Sequence, residues 1–137
     1  MKKFRFLIIL FVTFLSGCTL SDHILAQKML KKYSDDQSYV TLSGEITKIN
    51  KNNNVIIKCE DLNNYINYQS ELCDYHIYST FIIELSIGDK IDFVTVPFHF
   101  YNGHKLPIVE LKIDGKTLLL FEEGKENLIN WVNTNFK

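Results

Sequence analysis

Val40-Thr41-Leu42-Ser43-Gly44-Glu45-Ile46-Thr47-Lys48-Ile49 is the stretch whose reading decides the fold. Apolar side chains fall on every second place, so Val40, Leu42 and Ile46 share one face of an extended strand. Gly44 stands among them, where a bulge or a close approach of another backbone is expected. The turn Asn52-Asn53-Asn54 follows, and Val55 to Cys59 return as a second strand.

Outward from this hairpin the chain continues in short extended pieces. Asp61 to Asp74 is polar, rich in Asn and Tyr and without a period, which predicts a long loop with room for one helical turn. His76 to Glu84 is rich in β-branched and aromatic residues and predicts a third strand. Gly88-Asp89 marks a turn into Ile91 to Tyr101, a long strand in which Pro97 signals an edge or a bulge. Tyr101-Asn102-Gly103-His104 and Ile113-Asp114-Gly115-Lys116 carry the Asn-Gly and Asp-Gly pairs that two-residue hairpin turns demand. Around the second turn Val109, Leu111 and Ile113 share a face with Leu118 and Leu120, while Glu110, Lys112 and Thr117 take the other.

Helical spacing appears only at the two ends. Leu25, Ala26, Met29, Leu30 and Tyr33 recur at that spacing between Ser21 and Asp36, with Ser21 or Asp22 as cap and Lys28, Lys31 and Lys32 on the wetter, solvated side. Leu128, Ile129, Val132 and Phe136 do the same between Glu122 and Phe136, and Trp131 beside them is expected to pack that helix onto the strands. Short strands with no long helix between them predict a mainly β domain, a small antiparallel barrel with an N-terminal and a C-terminal helix. The run from Val40 to Ile49, its return from Val55 to Lys58, and Ile87-Gly88-Asp89-Lys90-Ile91 are similar to the opening and the fourth-strand entrance of OB-fold domains. The resemblance covers about half of the domain and implies ligand binding on an exposed barrel face and its loops.

At the start of the chain, Lys2, Lys3 and Arg5 precede the apolar run Phe6 to Leu15. That run is about half of the roughly 20 residues a bilayer-spanning helix needs, and so reads as a leader rather than a permanent span. Leu15-Ser16-Gly17-Cys18 closes it and resembles the lipobox of bacterial lipoproteins. The resemblance implies removal of residues 1–17, a diacylglyceryl thioether on Cys18 and a further acyl chain on its new amino terminus. It places the protein in the cell envelope outside the cytoplasm, held by its lipid, with residues 18–21 as a short tether. Thr19, where an aspartate would signal inner-membrane retention, points to the outer membrane if the source is Gram-negative.

Loss of 17 residues from 137 leaves 120, the size of one domain. The full chain has 15 basic and 16 acidic side chains; without Lys2, Lys3 and Arg5 the balance is 12 against 16, a net of minus 4. Such a balance disfavours nucleic acid, whose phosphates need a basic face. With Cys18 acylated, Cys59 and Cys73 remain as an even pair in a compartment where disulfides persist. A bridge between them is expected, the alternative being two separate thiols.

No nucleophile elbow, phosphate loop or paired zinc motif occurs, and no cofactor is implied. A two-residue turn at Asn102-Gly103 would set His99 and His104 on one sheet face as diagonal neighbours, where a metal could bridge them or an envelope hydrolase could use them with a nearby carboxylate. Tyr65, Tyr68 and Tyr75 run through the segment bracketed by the cysteines, and tyrosine gives large contact area at small entropic cost. The expected function is therefore a monomeric binding module whose Asp61 to Tyr75 loop meets an envelope protein or glycan, in the manner of a pilotin-like assembly chaperone or an exclusion or immunity factor. A purely structural lipoprotein is a further alternative.

Overall fold

Strand β1 (Val40–Asn50) runs for 11 residues, long enough to serve two neighbours in turn. In the computed structural model, which describes residues 21–66 and 72–136, its first half pairs with β4 (Lys90–Thr95) and its second half with β2 (Asn54–Lys58), both antiparallel. Gly44 sits beside the changeover. A Cβ there would lie 2.5 Å from Ile57 Cγ2 and 2.8 Å from the Lys58 carbonyl oxygen, so only a bare Cα lets β1 fold across β2 at this point. The expected close approach is present.

Strand β3 (Leu72–Ile77) adds antiparallel to β2 and then meets β5 (Leu106–Ile113) in parallel, through Tyr75 with Leu106 and Ile77 with Ile108. Strand β5 is also antiparallel to β4, so β1, β2, β3, β5 and β4 close a ring. That connectivity is an OB-like barrel, as expected. Short β6 (Lys116–Leu119) lies on the remaining length of β5 through a turn in which Asp114 and Gly115 both have positive φ, the second hairpin as predicted.

Two apolar bodies hold this frame. Inside the barrel Ile46, Ile57, Tyr75, Phe93, Leu106 and Leu111 are fully enclosed, and Leu62 plugs one end from a 3₁₀ turn at Glu60–Asn64. Outside it, helix α1 (residues 21–34) and helix α2 (Phe121–Asn135) share a second core with the barrel wall. Ala26, Met29 and Tyr33 of α1 and Leu128 and Val132 of α2 meet Val94, Val96 and Val109 there, each large side chain contributing about 1.5–3 kcal/mol by leaving water. Trp131 packs edge-on against Tyr78 with ring centres 5.8 Å apart, the expected role for it. Helix α2 comes so close to β5 that a Cβ on Gly124 would overlap the Val109 carbonyl oxygen.

Three expectations need correction. The third strand is Leu72–Ile77, not His76 to Glu84, so the polar loop ends earlier than its composition suggests. Strand β4 stops at Thr95 rather than continuing to Tyr101: its register with β5 slips at Val94 and Thr95, and two residues later Pro97 has no N–H to offer a neighbouring strand. Tyr101 to His104 is therefore the tip of a loop instead of a hairpin between paired strands, closed by the His104 N–H donating to the Tyr101 carbonyl at 3.1 Å.

Candidate functional site

The β4–β5 loop holds both predicted histidines, and it brings them together by a route other than sheet register. The Nδ1 of His99 lies 3.1 Å from the carbonyl oxygen of His104, with the two rings 6.2 Å apart and nearly perpendicular. His104 turns inward. Its Nε2 is 3.0 Å from the Tyr33 hydroxyl of α1, Phe100 and Tyr101 stand edge-on to its ring, and its Nδ1 has no partner among the described residues. Burial first, and the nearby His99 second, push its pKa down to about 4, so the ring is neutral. His104 thereby ties the loop to α1. Among the described residues no group of three His, Cys, Asp or Glu gathers within reach of one metal ion.

Sequence reasoning did not anticipate a third histidine close by. His76 Nδ1 donates to Asn54 Oδ1 at 2.7 Å, and its ring stands 4.7 Å from that of Tyr78. Burial, then the charge of Lys105, lowers its pKa. Together His76, Tyr78, Trp131, Phe136 and Tyr101 form a chain of edge-on and tilted ring contacts that reaches His104. Such contacts contribute roughly 0.5–1.5 kcal/mol each beyond burial, which makes this flank of the barrel a rigid wall.

The cysteine and tyrosine expectations fare differently. Cys59 and Cys73 are free thiols, both buried on the inner face of the barrel. The register explains the missing bridge: Cys73 faces Ile57, and Cys59 lies two places further along, a diagonal neighbour. Diagonal pairs are separated by about 7–8 Å, beyond the usual reach of a disulfide. Burial, followed by the charge of Asp74, pushes the Cys73 thiol up to about 11, so it is protonated and inert. Tyr75 is likewise no loop residue; it is fully buried with its ring 5.2 Å from Phe93. Tyr65 is exposed, whereas Tyr68 and Cys18, the expected lipid-attachment residue, lie outside the described residues.

The segment between β3 and β4 was expected to be a strand and is instead a strap across the β1–β2 turn. Asn53, held at a φ of 60°, clamps it with both ends of its side-chain amide: Nδ2 donates to the Phe81 carbonyl at 2.7 Å, and Oδ1 accepts from the Ile83 N–H at 3.0 Å. Ile83 and Leu85 then lean on the barrel core. Phe81, Ile82 and Ile87 face water, at 76, 75 and 70% exposure. Among the described residues, a clamped backbone that holds three large apolar side chains in solvent is the feature that most resembles a contact surface.

No family model and no curated protein matches this sequence. Solved structures of CusF are similar to it at a distance. Silver(I)-bound CusF is 15% identical with a TM-score of 0.42, over 56% of this chain and 97% of that one. Apo-CusF from Escherichia coli is 16% identical with the same TM-score, 0.42, over 56% of this chain and 87% of that one. The likeness is too remote to carry an argument about the site.

Proposed function

We propose that this protein is a lipoprotein of the bacterial cell envelope, tethered through Cys18, whose barrel is a binding module for another envelope protein. The observation that carries the binding role is the strap: Phe81, Ile82 and Ile87 stay in water on a backbone that Asn53 fixes. Aliphatic and phenyl groups complement a protein surface better than a glycan, whose hydroxyls would be left without hydrogen-bond partners against them. Localisation outside the cytoplasm, and in the outer membrane of a Gram-negative source, rests on the lipobox and Thr19. Among the described residues no helix is long and apolar enough to cross a membrane; two or three acyl chains on Cys18 would hold the domain by themselves. Assembly chaperones and exclusion or immunity factors would both use such a surface, and the captured partner separates them. The metal or hydrolase reading of His99 and His104 gains no support from His104, whose Nε2 is engaged by Tyr33 and whose ring is buried.

The test is photocrosslinking in intact cells, with the reactive residue at Phe81 in one strain and at exposed Thr117 in another. One dominant adduct from Phe81 and little from Thr117 is expected. Equal capture from both positions rejects the strap as the contact surface.

A further inference from the structure

A groove of about 690 Å³ runs between α1 and the β4–β5 loop. Its helical wall is one face of α1, where Ile24, Lys28, Lys31 and Lys32 fall at helical spacing, and Phe98 and Phe100 form the facing wall. Lys32 holds its ammonium 5.0 Å from the centre of the Phe98 ring, so charge and apolar surface meet across the gap. Asp22 and Asp35 line the two ends, leaving the lysines grouped in the middle. This grouping runs against the rest of the protein: the groove is lined by three lysines and two aspartates, a net of plus 1, inside a mature chain of net minus 4.

Position adds to charge. The groove begins at Ser21, three residues beyond Cys18, and three extended residues span about 10 Å. Lys28, Lys31 and Lys32 lie a further 7, 10 and 11 residues along α1, about 10–17 Å at the helical rise, so they come within the screening length of an acidic surface when α1 lies along it.

We propose that this groove receives the anionic headgroups of the membrane in which Cys18 is anchored, with Lys28, Lys31 and Lys32 on lipid phosphates and Ile24 and Phe98 at the boundary between headgroups and acyl chains. The assignment rests on the lipid-anchor reading. It gives the molecule a preferred orientation on the bilayer, α1 downward, where a lipid tether alone leaves the domain free to tumble. A second copy of the chain in the groove, or no occupant, are the competing outcomes.

The experiment uses the lipidated mature protein with Ile24→Cys carrying a fluorophore; Cys59 and Cys73 are buried and leave the new thiol selectively labelled. The protein is reconstituted into phosphatidylcholine vesicles with or without phosphatidylglycerol, each containing a nitroxide-labelled lipid as quencher. Quenching several-fold stronger with phosphatidylglycerol is expected, reversed by high salt and by combined Lys28→Gln, Lys31→Gln and Lys32→Gln changes, which lie on an exposed face and leave the thermal midpoint in place. Quenching that ignores phosphatidylglycerol overturns the proposal, as does self-quenching between labels without lipid quenching, the signature of a second copy. Failure of the anchor is read separately, as protein that carries no lipid mass and does not float with phosphatidylcholine vesicles. Such lipid-free protein has no membrane to which the groove is brought, and it overturns the assignment together with the anchor, whereas unresponsive quenching of the lipidated protein overturns the groove alone.

Discussion

At His104, enclosure and the neighbouring His99 act in one direction, since both disfavour the charged ring and take the pKa from 6.5 to about 4. The unfolded chain binds its proton near the upper value and the folded chain only near the lower. The contribution to stability is therefore complete above pH 6.5 and shrinks as pH falls through the window to about 4. At 1.36 kcal/mol per unit, roughly 3 kcal/mol is lost across it. Urea unfolding of the native protein should weaken by that order between neutral pH and pH 4, while a His104→Gln variant, with nothing to titrate there, should show a smaller decline. Equal declines would reject His104 as the source. Gly44 allows a second prediction at this scale. A methyl group there meets Ile57 and Lys58 too closely, so Gly44→Ala should cost about 1–3 kcal/mol in the same assay. The two residues differ in how readable they were. Glycine inside an alternating strand announces a close approach by itself, whereas Tyr33 and His104 are 71 positions apart and no local pattern joins them.

Elements show where propensity misleads. The alternating run of β1, the Asp-Gly hairpin and both amphipathic helices were legible because their periods follow from which face meets the core. Phe81-Ile82-Ile83 has the composition of a strand and yet does not pair, for a reason that lies outside the segment: Tyr75 and His76, at the near end of β3, already have β2 on one side and β5 on the other. Composition reports what a stretch would do beside a vacant edge. Whether an edge is vacant is a property of the ring. In place of a ladder the strap is clamped by Asn53 and seated by Ile83 and Leu85, so Asn53→Ala should remove both side-chain hydrogen bonds, destabilise by about 1–3 kcal/mol and open residues 79–87 to limited proteolysis. An unchanged cleavage pattern would mean that Ile83 and Leu85 suffice to hold it. The histidine loop was misread for a related reason. The Asn102-Gly103 pair predicts a two-residue hairpin from its turn chemistry alone, but Phe100 turns towards Tyr33 of α1, a partner that no local pattern identifies.

For the whole molecule, the lipid attachment proposed at Cys18 would decide how the exposed surfaces are to be understood. Mass spectrometry of protein taken from its native membrane should show a chain beginning at Cys18 and heavier than its sequence by two or three acyl chains; an intact leader or a bare chain would remove the tether. The ring itself bears on how such a protein is made. Its seal joins Tyr75 to Leu106, and contacts between distant parts of a chain are slow to form because a long loop must be ordered before they reward it. Until Leu106 has been synthesised, about three quarters of the way along the 137 residues, the seal has no second lip. In the export route proposed above, a chain whose ring waits for its fifth strand would be kept pliable by its own strand order until late in its passage.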